Sequence, residues 1–145
     1  MDRGVYALVF RNRSCSFRVG SLGEIPFRSG WHVYIGSARG PGGFARVSRH
    51  RRLALYRDRP PTWHVDHLLL SPFFHLRHVV CGSTGEDLEC ALAGVLGGRH
   101  IPSFGSSDCS CRSHLFYRPS DPLGEVTGAM SSLGLTPVSA TIKKE

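Results

Sequence analysis

Between Trp31 and Arg52 the chain changes period once, and abruptly. "WHVYIG" alternates: Trp31, Val33 and Ile35 fall on one side, His32 and Tyr34 on the other. That is the two-residue period of a strand with two distinct faces. "ARGPGG" then interrupts any regular element. "FARVSRHRRLALYRD" continues with helical spacing until "RPP" stops it. A strand that passes through a glycine turn into an arginine-rich helix limits the fold to a sheet carrying a cationic helix.

The rest of the chain supplies more of both kinds of element. "GVYALVFRN" alternates as a strand, with Val5, Ala7 and Val9 on one face and Tyr6, Leu8 and Phe10 on the other. "CSFRVG" alternates again and is expected to pair with it, and "SLGEIPFRSG" reads as a loop. Three early strands predict an N-terminal antiparallel three-strand meander. "TWHVDHLLLS" suits a helix or a strand. "FFHLRHVVC" has the aromatic and β-branched composition of a buried strand. "STGEDLECALAGVLGG" reads as a helix, with Ser83 and Glu86 at capping-box spacing and Gly97 and Gly98 at its end. "SHLFYR" is a late strand and "DPLGEVTGAMSSLG" a last helix. The expectation is an α/β (α+β) fold: a small mixed sheet with flanking helices, a single domain over 1–145 with 136–145 as a tail ordered by docking.

Its 145 residues, 41% hydrophobic, suit one packed core. The net charge is +7. Arginine is concentrated at Arg28, Arg39, Arg46, Arg49, Arg51, Arg52, Arg57 and Arg59, with no lysine among them. Such clustering points to a polyanion, nucleic acid first and an anionic membrane surface second. The five cysteines, odd in number and irregular in spacing, do not read as a disulfide framework. The N-terminal apolar run is too short for a signal peptide, and no stretch has the length of a membrane span. These features predict a reducing, cytoplasmic location and no membrane partner, and they leave the oligomeric state open.

Three features bear on chemistry. Tyr6 and Tyr34 stand on early strands beside Gly4 and Gly36, which removes side chains next to each phenol. In the helix, Arg46 and His50 share one face at i, i+4, and Arg46, Arg49 and Arg52 follow at intervals of three. Guanidinium groups hold phosphate oxygens in bidentate fashion, which lysine cannot do. Glu89 falls on one helical stripe with Leu92 and Leu96, where a carboxylate is costly unless it is paired, at the rim or bound to a cation.

In that order, "GVY" at Gly4–Tyr6, "YIG" at Tyr34–Gly36, Arg46 and Glu89 resemble the signature of the GIY-YIG nucleases, and "WHVDHLL" and "SFGSSDCSCRSHLFY" resemble a less-characterised GIY-YIG-like branch known from archaea and bacteria. The resemblance to the signature covers roughly Gly4 to Leu96. It implies a metal-dependent endonuclease that hydrolyses phosphodiester bonds in nucleic acid, with DNA as the expected partner and repair or recombination as the setting. It implies Mg²⁺ or Mn²⁺ at Glu89, Arg46 on the non-bridging oxygens, Tyr6 on the attacking water and Tyr34 in support. His50 would be a second base or a phosphate contact, and Arg39, Arg49 and Arg52 would hold the nucleic acid. The chain departs from the pattern in two respects. The two tyrosines are separated by 27 residues, which implies an inserted "CSFRVGSLGEIPFRSG" segment. The family's late asparagine has no match, and Asp108 is the nearest polar candidate.

Two other readings stay open. The chain can be a catalytically silent nucleic-acid-binding domain that needs only the arginines. It can also be a small zinc-stabilised module, with Cys109, Cys111 and His114, joined by His64 or His67, as soft ligands suited to zinc.

Overall fold

The computed structural model describes residues 2–106 and 111–142. Seven strands and four helices follow one another as β1 (Gly4–Asn12), β2 (Cys15–Arg18), β3 (Glu24–Phe27), β4 (Gly30–Ala38), α1 (Ala45–Tyr56), α2 (His64–Leu70), β5 (Phe74–Ser83), α3 (Glu89–Leu96), β6 (Leu115–Arg118), α4 (Leu123–Ser132) and β7 (Val138–Thr141). The main sheet has the order β6-β4-β1-β5-β7, and β2 and β3 form a sheet of their own. Among the described residues no helix is long and apolar enough to cross a membrane.

The α+β class and the alternation of β1 and β4 hold. Val5, Ala7 and Val9 pack with Val33, Ile35 and Val80 against Leu92 and Leu96 of α3 and Val126 and Met130 of α4. Tyr6, Leu8 and Phe10 face the other layer, with Val47 and Leu53 of α1 and Val65, Leu68 and Leu69 of α2. The central strand β1 is therefore buried on both faces along most of its length. That explains why "GVYALVF" carries almost no polar residue: each such side chain removed from water contributes about 1.5–3 kcal/mol.

The meander is different from the one expected. Cys15–Arg18 pairs with Glu24–Phe27 rather than with β1. The partner strand lies within the segment read as a loop, with Pro26 on a two-stranded ribbon where a missing N–H is tolerated. This hairpin folds away from the main sheet, Phe27 joining Phe17 and Phe74 over the Phe10 face. Its departure lets β4 return directly beside β1, with Tyr6 opposite Gly36 and Leu8 opposite Tyr34. The 27-residue gap between the tyrosines is thus absorbed by the hairpin and the turns around it.

Every strand pairing is antiparallel, so the sheet is not mixed. The crossover through α1 and α2 carries the chain over β1, and β5 lands on its far side. β4 and β5 run parallel to each other, but β1 separates them. The segment "TWHVDHLLLS" resolves as the helix α2. Asp66 caps it, accepting the backbone N–H groups of Thr62 at 2.8 Å and Trp63 at 3.0 Å through Oδ2. Asp66→Ala is expected to cost about 1–2 kcal/mol in a urea melt and to loosen the Trp63 segment, read as altered tryptophan emission.

α3 starts at Glu89, not after Ser83, which still belongs to β5. The expected capping box does not form. Thr84 Oγ1 instead accepts from the Glu86 N–H at 3.0 Å, in a turn that precedes the helix. Glu89 is thereby the acidic residue of the first turn. The predicted tail docks: Val138–Thr141 adds to the edge of β5.

Candidate active site

The register of β1 and β4 places both tyrosines on the face covered by α1. Their ring centroids are 6.4 Å apart. The glycine of "YIG" has a specific use. A Cβ at Gly36 would overlap Cζ and Oη of Tyr6 and stand 2.8 Å from its Cε2. The bare backbone therefore lets the Tyr6 ring lie across β4. Gly4 makes room for backbone, because a Cβ there would overlap the Gly82 carbonyl of β5. Gly36→Ala is expected to cost about 1–3 kcal/mol by overpacking and to dislodge the Tyr6 ring. A urea melt with tyrosine emission reads both effects.

Tyr6 is buried, and its hydroxyl is 2.8 Å from Nε2 of His50 on α1. One turn earlier, Arg46 donates from Nη1 to the Ser37 carbonyl at 3.1 Å. Its guanidinium lies 5.0 Å from the centroid of the Trp63 ring. The i, i+4 spacing of Arg46 and His50 thus becomes one wall of a cleft of about 230 Å³, lined by Tyr6, Tyr34, Arg46, His50, Thr62, Trp63, His64 and Gly105. The backbone N–H of Gly105 donates to Nδ1 of His64 at 2.8 Å, which closes the floor beside Tyr34.

Glu89 stands outside the residues that line the cleft. Its carboxylate is nonetheless near enough to oppose ionisation of Tyr6. Its Oε1 lies 3.7 Å from Nδ1 of buried His114, and the side chain is 21% exposed. The structure therefore gathers Tyr6, Tyr34, Arg46 and His50 on one cleft, while Glu89 stays outside its lining and reaches Tyr6 only electrostatically.

Burial governs the protonation states. It raises the Tyr6 phenol well above its ordinary value, and Tyr34 adds to the rise; Arg46 pulls the other way without reversing it. Desolvation of the phenol outweighs the pull of the cationic helix. Burial also lowers His50 to about 4, which Asp66 resists while Arg46 and Arg49 assist. At neutral pH the pair is a phenol beside a neutral imidazole. His50 accordingly reaches the site as the partner of Tyr6 rather than as an exposed phosphate contact.

The other cations lie elsewhere. Arg39 pairs with Asp87 at 3.6 Å, Arg49 is exposed on α1, and Arg52 lies 4.7 Å from the Tyr56 ring centroid. With Arg51, Tyr56, Arg57, His75 and Arg77, Arg52 borders a second groove of about 610 Å³. Trp63 and Gly105 were not anticipated as site residues. The sequence carries little signal for them, because each reaches the cleft from a connecting segment.

His64 lines this cleft, and among the described residues neither it nor His67 belongs to the group of donor atoms that Cys111 and His114 form with Cys90, so the zinc reading loses both. Asp108 and Cys109 lie outside the described residues. Among the described residues Cys90 and Cys111 are joined as a disulfide, because folding brings the first turn of α3 against the segment before β6, and Cys15 and Cys81 are free.

No curated protein and no solved structure matches the chain. A family model does match, over residues 5–135, which runs from the second residue of β1 past the end of α4 and includes every residue of the cleft. The chain belongs to the family described as domain of unknown function DUF123.

Proposed function

We propose that the protein is a GIY-YIG-like endonuclease that hydrolyses phosphodiester bonds in DNA with the aid of one divalent cation. The observation that carries this reading is the convergence of Tyr6, Tyr34, Arg46 and His50 on one cleft, with Glu89 close enough to act electrostatically on Tyr6. The residues fit such an ion. Mg²⁺ and Mn²⁺ favour oxygen ligands, keep several waters and need only one or two carboxylates. Glu89 offers a partly exposed carboxylate that acts electrostatically on the Tyr6 phenol. Bound there, the ion would supply charge neutralisation at the leaving oxygen.

The chain's own groups divide the remaining work. Arg46 is held in place by Ser37 and Trp63, so its guanidinium meets a phosphate with little further ordering. Tyr6 orients water. Its hydroxyl contacts Nε2 of His50, which fixes the direction in which the phenol can hydrogen-bond the attacking water. No free phenolate then has to exist, which agrees with a phenol held protonated by burial. Tyr34 borders the same space and limits how substrate enters. The Arg51–Arg52–Arg57 side of α1 and Arg77 extend the cationic surface along which a phosphate backbone can lie.

The test is incubation with branched, flapped and duplex DNA, and the matching RNA, in Mg²⁺ or Mn²⁺, beside Glu89→Ala. Cleavage of DNA by the wild type alone is the expected result. Equal nicking by both proteins, or none by either, would overturn the reading. Retained DNA binding without cleavage would leave the binding-only alternative.

A further inference from the structure

A second cluster of reactive side chains lies off the lining of the tyrosine cleft and meets the proposed hydrolytic site only at Glu89. Cys90, the second residue of α3, is joined through sulfur to Cys111, with Cα atoms 6.0 Å apart. Nε2 of His114 lies 3.8 Å from Cys90 Sγ. One donor atom from each of the three residues lies within 4.8 Å of the others. On the opposite edge of the ring, Nδ1 of His114 faces the Glu89 carboxylate.

We infer that Cys90, Cys111 and His114 form a zinc site when the two sulfurs are reduced. Thiolate and imidazole are the ligands zinc prefers over hard cations. Sulfur and nitrogen bound to one tetrahedral zinc stand roughly 3.5–3.8 Å from each other, by the usual bond lengths. The observed separation of Cys90 Sγ and His114 Nε2 already falls there. Two thiolates also cancel the charge of the ion, which suits a site where His114 is 1% exposed. The Glu89 side of the ring is where a carboxylate commonly holds a metal-bound histidine in the right tautomer. A fourth position remains for water.

The chemistry balances as follows. A phosphine reductant gives two electrons to the disulfide and takes one oxygen from water, leaving phosphine oxide and two thiols. Zn²⁺ then displaces the two thiol protons and accepts the lone pair of His114 Nε2. The ion would tie the first turn of α3 to the segment that precedes β6, and so hold Glu89 in place. This site differs in ligand type and metal from the one proposed for hydrolysis, and its test does not depend on cleavage.

The full chain, reduced with the phosphine and freed of metal, is loaded with Zn²⁺ and separately with Co²⁺. The expected result is about one zinc per chain and a thiolate-to-cobalt charge-transfer band. Protein kept oxidised should bind at least tenfold less. Cys90→Ser, Cys111→Ser and His114→Ala should each lower bound zinc by tenfold or more, and Cys15→Ser and Cys81→Ser should not. Glu89→Gln should weaken zinc binding by about 10–100-fold, as loss of a supporting carboxylate does. No zinc uptake or no thiolate band in reduced wild type would overturn the proposal, whether or not any variant folds. Persistence of the band in both Cys90→Ser and Cys111→Ser would do the same.

Discussion

Arg46→Ala is expected to slow DNA cleavage by about 10²–10³-fold, roughly 3–4 kcal/mol of lost transition-state stabilisation, with little effect on folding. The guanidinium is only partly buried and gives one hydrogen bond to the fold, at Ser37, so stability depends on it weakly. Its remaining donors border the cleft, where charge would build on phosphate oxygens. Arg46→Lys should recover only part of the rate, because lysine keeps the charge but neither the planar fork nor the stacking on Trp63. The diagnostic measurement is kcat against KM. A fall in kcat with KM near wild type supports the role. An unchanged kcat with weaker binding would move Arg46 into the company of Arg39, Arg49 and Arg52, which lie off the cleft.

Acid should destabilise the protein steeply between about pH 6.5 and pH 4. His32 and His50 are both buried, at 1% and 3% exposure, and burial lowers each from 6.5 to about 4. Over that window the unfolded chain binds a proton on each ring and the folded chain does not. Stability is therefore fully present above 6.5, falls as the pH drops towards 4, and falls no further from these groups once both states are protonated. Each ring contributes about 3 kcal/mol, so together they approach the whole stability of an ordinary domain. Urea melts at pH 7, 5.5 and 4 read the slope. His50→Gln should flatten it by about half and remove the partner of the Tyr6 hydroxyl. A midpoint that does not move across this range would show that the two rings charge without penalty. His32 has a different part to play. It contacts Asn12 Oδ1 through Nδ1 at 2.8 Å, and Asn12 in turn donates to the Arg28 carbonyl at 2.9 Å, which pins the start of β4 beside the end of β1.

The alternation of β1 and β4, and the i, i+4 pairing of Arg46 with His50, were legible because each is a local periodicity. That Tyr6 and Tyr34 share one face follows from the β1–β4 register, which sets Tyr6 opposite Gly36 and Leu8 opposite Tyr34. What misled was adjacency. Cys15–Arg18 follows β1 and alternates, so it reads as the next strand of a meander, yet it pairs with Glu24–Phe27. Ser83 and Glu86 have capping spacing, yet Ser83 is held in β5, where it pairs with Gly4. In both cases long-range pairing overrode a local preference.

The sequence by itself determined the class of fold, the faces of its central strands and the identity of the five side chains proposed for catalysis. Only the tertiary structure decided that Gly36 leaves space for the Tyr6 ring, that Tyr6 meets His50 across 44 residues of chain, and that Cys90 meets Cys111 across 21. Periodicity belongs to neighbours along the chain and can be read from them. Register, burial and the protonation that burial imposes arise when the two helical layers close on the sheet from opposite sides, so no single segment contains them.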